Sequence, residues 1–415
     1  MHRDRSDGDT APEPVRDSPI ANVAEDRPSL RSVSAVPANL RLANQAALLG
    51  RLLGTKVASR ADLAKATGMS KPTTGKIIDD LMRAGVVEEI KAIDGGRAGV
   101  GRPGQQLRLA TSRARFLVVD LGVEMTRLCA LPPSPPDEER WDVQFKTPAS
   151  ADAWQEKLAQ SAEKIDIRRP WAVLVSTPGV VDERAGRVLL SPNLHWSEHA
   201  DLPWILRQIW SAPVGLVQQV RCLALGQLGA WRDGDDFIMI DITDGVGGAL
   251  MLGGRIYQGA LPMSGEIGHT PIPGNTRPCG CGGRGCLETL ASQRGLIQSL
   301  REAKGFGPSH NLTFADVVKA AESELPPWMR ATFDAIATGV SAALNLYGVR
   351  RVVMVGVMSE LPAPATDYLI GVIQRASMWS RFDAVAVTLA PKRVARGLVI
   401  AGIHRFVMPY DWSTD

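Results

Sequence analysis

The feature that most constrains this chain is a short cluster of metal-ligating side chains. His269, Cys279, Cys281 and Cys286 stand in an H-x9-C-x-C-x4-C arrangement. Three thiolates and one imidazole make a tetrahedral structural zinc set with no coordination position left for water. Glycines at 280, 282, 283 and 285 let a short loop wrap round so that three sulfurs converge on one ion. The alternative, three unpaired thiols in one loop, would be reactive and prone to oxidation. A closed Cys3His set also argues against hydrolytic zinc chemistry, which needs an open position.

The remaining cysteines, Cys129 and Cys222, do not extend the cluster into a dispersed disulfide framework, which points to a reducing, cytoplasmic setting. No apolar run of about 18 residues is present, so no membrane span is expected. The N-terminal stretch MHRDRSDGDTAPEPVRDS is polar and does not read as a secretory leader. The net charge of +3 hides an uneven distribution: residues 1–39 carry −2, residues 40–115 carry +8 and residues 116–415 carry −3. A basic excess confined to one small segment suits a polyanionic partner, although a solvated basic face has the same composition.

Residues 1–38 are rich in Pro, Asp, Arg and Ser and read as a disordered tail. Residues 39–112 read as a small helical domain with a terminal strand pair, and residues 113–410 as an α/β domain. Within the first, Leu40, Leu42, Ala43, Ala46, Ala47, Leu49 and Leu53 recur at helical spacing. Ser59 with Asp62 three residues on predicts a capped second helix ending at Gly68. Ser70 predicts a second cap, with Pro72 in the first turn of a helix that stops at Ala84-Gly85. Val86, Val87 and Ile90 then read as a strand, and Gln105 to Leu109 as its returning partner. In the second domain, Phe116–Asp120, Trp171–Ser176, Phe237–Asp241 and Val352–Gly356 read as core strands. Helical stretches at 151–165, 219–232, 287–304 and 327–347 alternate with them, which indicates α/β architecture. No short-period repeat is visible.

Two short helices joined at Gly68 form a helix-turn-helix pattern. In such a pattern the start of the second helix enters the major groove of double-stranded DNA. Here that start carries Ser70, Lys71, Thr73, Thr74 and Lys76, which are small or polar and suited to base edges and phosphates. Each of them taken singly is also consistent with a solvated surface residue. The glycine-rich stretch 95–104 with Arg97 and Arg102 lies between the two strands and reads as a wing whose arginines reach a minor groove. The competing reading is a flexible linker. The expected fold is thus a winged helix-turn-helix followed by an α/β domain.

The segment Ser264-Gly-Glu-Ile-Gly-His269, with Cys279-Gly-Cys-Gly-Gly-Arg-Gly-Cys-Leu-Glu288 after it, closely resembles the signature of the ROK family of repressors, open reading frames and kinases. A winged helix ahead of such a domain resembles the family's xylose- and N-acetylglucosamine-responsive repressors. The resemblance spans roughly residues 40–405. It implies an actin-like, ribonuclease-H-type fold in two lobes with a sugar cleft between them. It also implies that Glu266, His269 and Glu288 contact sugar hydroxyls, with Asn193 of Ser191-Pro-Asn-Leu194 as a further contact or a turn-capping residue. His269 would present one ring edge to the sugar while its other nitrogen binds zinc.

The chain departs from the family's kinases where they carry E-N-D-A-N. Here the run reads Val217-Gln-Gln-Val-Arg-Cys222, with Val220 set against the aspartate that acts as general base. The first phosphate loop reads Asp120-Leu-Gly-Val-Glu-Met-Thr126, the second Ile242-Thr-Asp-Gly-Val-Gly-Gly248, and a third loop Val355-Gly-Val-Met358; all three depart from the family's pattern. Arg221 stands next to Val220 in helical phase and points away from the cleft. The expectation is a transcriptional repressor of sugar-related genes whose kinase-like domain is inactive. Its partners would be operator DNA and a sugar or sugar-phosphate effector, and its assembly a homodimer or homotetramer. The alternatives are a ligand-independent architectural regulator and an active sugar kinase.

Overall fold

The computed structural model describes residues 37–90, 105–231, 236–259, 261 and 263–413. The chain opens with α1 (Pro37–Thr55), followed by β1 (Ala58–Ser59), α2 (Arg60–Thr67), α3 (Lys71–Arg83), β2 (Val87–Ile90) and β3 (Gln106–Leu109). The caps read from the sequence form. Ser59 accepts the Asp62 amide and Asp62 accepts the Ser59 amide, a reciprocal capping box, and Gly68 closes α2 at φ 70°. Ser70 caps α3 and Pro72 lies in its first turn. Ile77, Ile78 and Leu81 are buried on one face of α3. β2 and β3 pair antiparallel from Val87↔Leu109 to Ile90↔Gln106. Strand β1 was not expected: it is only two residues long, and the Ala58↔Leu107 pairing that defines it is long-range. The glycine-rich stretch with Arg97 and Arg102 lies outside the described residues.

The rest of the chain is one unit built twice. Its first half comprises β4 (Phe116–Leu121), β5 (Met125–Leu131), β6 (Val143–Lys146), α4 (Ala151–Ala162), β7 (Ala172–Thr177), the hairpin β8 (Val180–Asp182) and β9 (Arg187–Leu190), α5 (Leu202–Ile209), β10 (Val214–Gln218) and α6 (Gln219–Gly226). The second half comprises β11 (Phe237–Ile242), β12 (Val246–Leu252), β13 (Arg255–Ile256), α7 (Glu288–Ala291), α8 (Gln293–Lys304), α9 (Phe314–Ala320), α10 (Pro327–Tyr347), β14 (Arg351–Gly356), α11 (Ala363–Ala376) and β15 (Ala386–Leu389). Helix α12 (Val394–Gly402) ends the fold.

The sheet orders are β10-β7-β4-β5-β6 and β15-β14-β11-β12-β13. In each, the first strand pairs antiparallel with the second and parallel with the fourth, and the fifth runs parallel outside. The first strands correspond residue by residue. Phe116-Leu-Val-Val-Asp-Leu and Phe237-Ile-Met-Ile-Asp-Ile are both fully buried, and each places an aspartate, Asp120 or Asp241, fifth. Two six-residue apolar runs this far apart give no periodic signal, so the repeat shows only in the topology.

Two expected helices differ in extent. The stretch 219–232 is helical only to Gly226, and Gly229 then turns left-handed at φ 73°. The stretch 287–304 breaks at Ser292, whose hydroxyl caps α8 by accepting the Gly295 amide. Helix α12 returns from the second half to pack on α6 and on the first sheet. A Cβ on Gly397 would stand 1.9 Å from the Cys222 carbonyl oxygen, so only glycine permits that crossing.

The N-terminal unit and the C-terminal helix share one core. Leu48, Leu49, Leu52 and Leu53 of α1 join Phe116, Val217, Leu398 and Trp412 there. Each such leucine contributes about 1.5–3 kcal/mol on burial. Gln45, fully buried, donates to the carbonyls of Val407, Met408 and Tyr410 at 3.3, 3.1 and 2.8 Å. Arg41 bridges Asp80 of α3 and Asp411. Among the described residues, no helix is long and apolar enough to cross a membrane.

Candidate functional site

The cysteine loop follows β13 and is set by two isolated bridges, Pro271↔Cys286 and Pro278↔Arg284. Cys279 donates its amide to the Gly283 carbonyl at 2.9 Å, and Gly285, at φ 77°, passes so close to the Asn275 carbonyl oxygen that a Cβ would lie 2.5 Å from it. Arg277 braces the loop on α7 and α8. It donates to the Thr289 carbonyl at 2.7 Å, Ser299 Oγ at 3.0 Å and Glu302 at 2.7 Å. Sequence reading passed over Arg277 because its partners come from helices 12 to 25 residues away.

The loop gathers His269, Cys279, Cys281 and Cys286 so that their donor atoms all lie within 4.8 Å of one another. Cys281 Sγ and Cys286 Sγ are 3.8 Å apart, and Cys279 Sγ and His269 Nδ1 are 3.6 Å apart. Bonds of about 2.3 Å to sulfur and about 2.0–2.1 Å to nitrogen in a tetrahedron give edges of about 3.8 Å and about 3.6 Å. The donor set and its spacing therefore fit a four-coordinate zinc.

The other edge of His269 faces Glu266. Its Nε2 lies 3.8 Å from Glu266 Oε2. Glu266 Oε1 accepts a hydrogen bond from Gln218 Nε2 at 3.2 Å. Glu288 Oε2 accepts the Val246 amide of the β11–β12 turn at 3.2 Å, and its Oε1 lies 3.4 Å from Cys279 Sγ. Glu266, His269 and Glu288 are thus brought to the same corner. Asn193 is exposed and accepts instead from Arg294 Nη1 of α8 at 3.3 Å, a contact from the first half to the second. Among the described residues, no hydrogen bond joins it to the other three. Gln218 Oε1, Thr177 Oγ1 and Ser191 Oγ are buried with no partner among the described residues. Gln218 and Thr177 are register neighbours at the ends of β10 and β7. Such groups suit a hydroxylated ligand, since a buried polar atom left unpaired costs about 1–3 kcal/mol.

The strand–helix junction at 218–220 departs from expectation. Val220 is buried at 6% exposure, and the Cβ position of Gly247 on β12 lies 3.4 Å from it, so its side chain packs under the second phosphate loop rather than in the cleft. The polar groups of the junction are the two residues before it. Gln218 meets Glu266, and Gln219 lies beside Asp120. The residue at the head of α6 is thus Gln219, one place earlier than expected. An amide has no more capacity than valine to accept a proton. Arg221 points away from the cleft as helical phase predicted, and it is not idle: it pairs with Glu183 at 3.4 Å and donates to Ser264 Oγ at 2.9 Å.

The floor between the two phosphate loops is occupied by the protein's own charges. Asp120 accepts from Ser176 and lies 3.7 Å from Arg127. Asp241 pairs with Lys392 Nζ at 3.2 Å. Burial raises both carboxyl groups above the ordinary range, and the lysine and arginine oppose the rise. Burial also pushes Glu139 up to about 7; its Oε1 accepts the Ala395 amide at the head of α12 at 2.6 Å. Thr126 of the first loop is committed to the Trp154 indole N–H at 3.1 Å. Lys392 and Glu139 carry no motif and were not singled out in the sequence.

On α3, Ser70, Lys71, Thr73 and Lys76 are exposed, with Ser70 Oγ and Thr73 Oγ1 2.8 Å apart. Thr74 is not exposed: at 1% exposure it belongs to the inward face of α3, and its hydroxyl finds no partner among the described residues. Its expected groove contact is therefore withdrawn. Residues 73 and 74 are one-quarter turn apart, and the buried stripe of Ile77, Ile78 and Leu81 claims the second of them.

The profile of the ROK family matches residues 118–377. The chain belongs to the ROK family. Among curated proteins it is 27% identical over 277 residues to the xylose repressor of Caldicellulosiruptor bescii, covering 63% of this chain and 67% of that protein. It is 25% identical over 324 residues to the DNA-binding transcriptional dual regulator NagC of Escherichia coli, covering 73% of this chain and 77% of that one. Among solved structures, a ROK family transcriptional regulator described as a homolog of the E. coli MLC protein aligns with a TM-score of 0.68 at 20% identity, over 89% of this chain and 98% of that one. The ROK hexokinase of Thermus thermophilus aligns with a TM-score of 0.57 at 23% identity, over 70% and 98%. At these identities the structural likenesses establish the mixed α/β, actin-like fold.

Proposed function

We propose that this ROK protein is a sugar-responsive, DNA-binding transcriptional repressor of the cytoplasm. Residues 39–112 act as a winged helix-turn-helix, and residues 113–410 sense the sugar without phosphorylating it. The observation that carries the reading is the union of two parts: a three-helix unit presenting Ser70, Lys71, Thr73 and Lys76 outward, and a ROK domain with an amide, Gln219, at the head of α6. The names of the relatives support it, since a xylose repressor and a DNA-binding transcriptional regulator are among them.

Lys71 and Lys76 neutralise phosphates, Ser70 and Thr73 reach base edges, and Arg97 and Arg102 extend the contact into a minor groove. Glu266, Gln218 and His269 hold sugar hydroxyls, with Glu288 positioning the second loop. Zinc, held by His269, Cys279, Cys281 and Cys286, fixes the His269 ring so that Nε2 addresses the cleft. A sugar there draws the halves together about α6 and α12. Because α1 packs on the same core as α12, that movement reaches the DNA-binding unit. A homodimer or homotetramer presents two such units to a two-fold operator.

The test is a mobility-shift assay on the full chain with fragments upstream of its own gene, at moderate salt, with xylose, glucose and N-acetylglucosamine added in turn. Specific retention released by one sugar is expected. Absence of any retained fragment, or sugar-dependent ADP release from ATP, overturns the reading.

A further inference from the structure

A second concavity, about 1790 Å³ in volume, lies away from the sugar cleft, where α1, both halves of the ROK domain and the segment after α12 meet. Its α1 wall is made of small residues, among them Ala43, Ala47 and Gly50, which leave the space open. Seven arginines line it against three carboxylates. Four of them, Arg51 of α1, Arg184 of the β8–β9 hairpin, Arg255 of β13 and Arg405, form no ion pair among the described residues. They come from four separate elements, and all four are exposed along the one cavity wall.

Guanidinium groups gathered at one concave surface repel one another and raise the local potential, and the ligand that relieves this is a multiply charged oxyanion with acceptors for forked N–H donors. We propose that this cavity is a binding site for a small phosphate ester or pyrophosphate-like anion, separate from the sugar cleft. The cavity exceeds the roughly 300–1,000 Å³ of a usual small-molecule pocket, so it has room for both a ligand and movement of α1. The positive field already acts on His404, which lines the cavity and is held down to about 4 by burial and by the neighbouring Arg255.

The site also touches the sugar cleft through named bonds. Arg221, in the cavity wall, holds Glu183 Oε1, which also accepts the Gln218 amide at 3.1 Å, and Gln218 holds Glu266. An anion that competes for Arg221 loosens this chain. That regulatory consequence rests on the proposed sugar reading; the binding itself does not.

The experiment is titration calorimetry on the full chain at moderate salt, using inorganic pyrophosphate and glucose 6-phosphate, with glucose and sulfate as controls. Saturable binding of both phosphates at one site per chain is expected. Arg51→Gln and Arg255→Gln each weaken it tenfold or more with thermal melts unchanged, while Glu266→Gln leaves pyrophosphate binding intact. Hydrogen exchange across residues 40–54 slows on saturation. No saturable binding, wild-type affinity retained in both arginine variants, or loss of pyrophosphate binding in Glu266→Gln overturns the proposal. The last outcome assigns the anion to the sugar cleft instead. Failure of the sugar reading alone leaves pyrophosphate binding untouched, which separates the two.

Discussion

The two ends of the ROK cleft are built on opposite principles. At one end the cysteine loop, Arg277 and a capped α8 hold Glu266, His269 and Glu288 in place, while Gln218 Oε1 and Thr177 Oγ1 lack partners among the described residues. At the other end the aspartates at the tips of the two equivalent strands are each answered from within the chain, Asp120 by Ser176 and Arg127, Asp241 by Lys392. The first arrangement leaves neutral polar atoms open and the second sets charge against charge. One fold thus holds a corner with buried polar atoms left open and a corner whose carboxylates face cations of the chain itself.

The largest effect that tests this contrast is at the metal loop. Cys279→Ser or Cys281→Ser is expected to abolish stoichiometric zinc, read by atomic absorption, and to open the 264–290 region to protease. Structural zinc sites of this kind contribute on the order of 10 kcal/mol in isolated modules. Retention of one zinc per chain in both variants would break the comparison at its stronger end. Next is Lys392→Met, which strands Asp241 in a buried site. A loss of about 3–5 kcal/mol in urea unfolding is expected, partly recovered by adding Asp241→Asn. A change below about 1 kcal/mol would mean the floor is not closed by that pair.

Glu139 supplies a pH test of the same floor. Its folded pKa, about 7, lies above the ordinary carboxylate value of 4.5. A raised value means the folded state favours the protonated form, so this contribution to stability is full below about 4.5 and is lost as pH rises through about 7. Glu139→Gln keeps an acceptor for the Ala395 amide and removes the titration. It is expected to gain on the order of 1 kcal/mol over wild type at pH 8, after discounting for partial exposure, and nothing at pH 4.5. Equal stability at both pH values would sink the argument.

On the DNA side, Lys71→Ala and Lys76→Ala are each expected to lower the slope of log affinity against log salt by about 1. The smallest effect is at Thr74→Val, which deletes a buried unpaired hydroxyl while keeping shape. It is expected to be neutral or stabilising by about 1 kcal/mol with operator affinity unchanged. A tenfold loss of operator affinity there would return Thr74 to the groove.

What could be read ahead of the structure was local. Ser59 with Asp62, Gly68, Ser70 and Pro72 delimited two helices because a cap is satisfied within four residues. The glycine-spaced cysteines announced a loop that gathers its sulfurs because their convergence needs only a short, permissive backbone. Whether Val220 or Gln219 faced the cleft depended instead on a one-residue shift at a strand–helix junction, set by the packing of α6 on Gly247. Thr74 illustrates the same limit, since a small polar residue at the margin of a buried stripe is compatible with either side.

By itself, then, the sequence determined the capped limits of α2 and α3, the clustering of one histidine and three cysteines and the alternation of strands and helices, all of which are decided by neighbours along the chain. Only the tertiary structure decided the duplication, the Lys392–Asp241 and Arg221–Glu183 pairs, and the arginine-lined cavity beneath α1. Each of these joins residues from distant elements, and their charges acquire meaning only once folding removes water and sets them face to face.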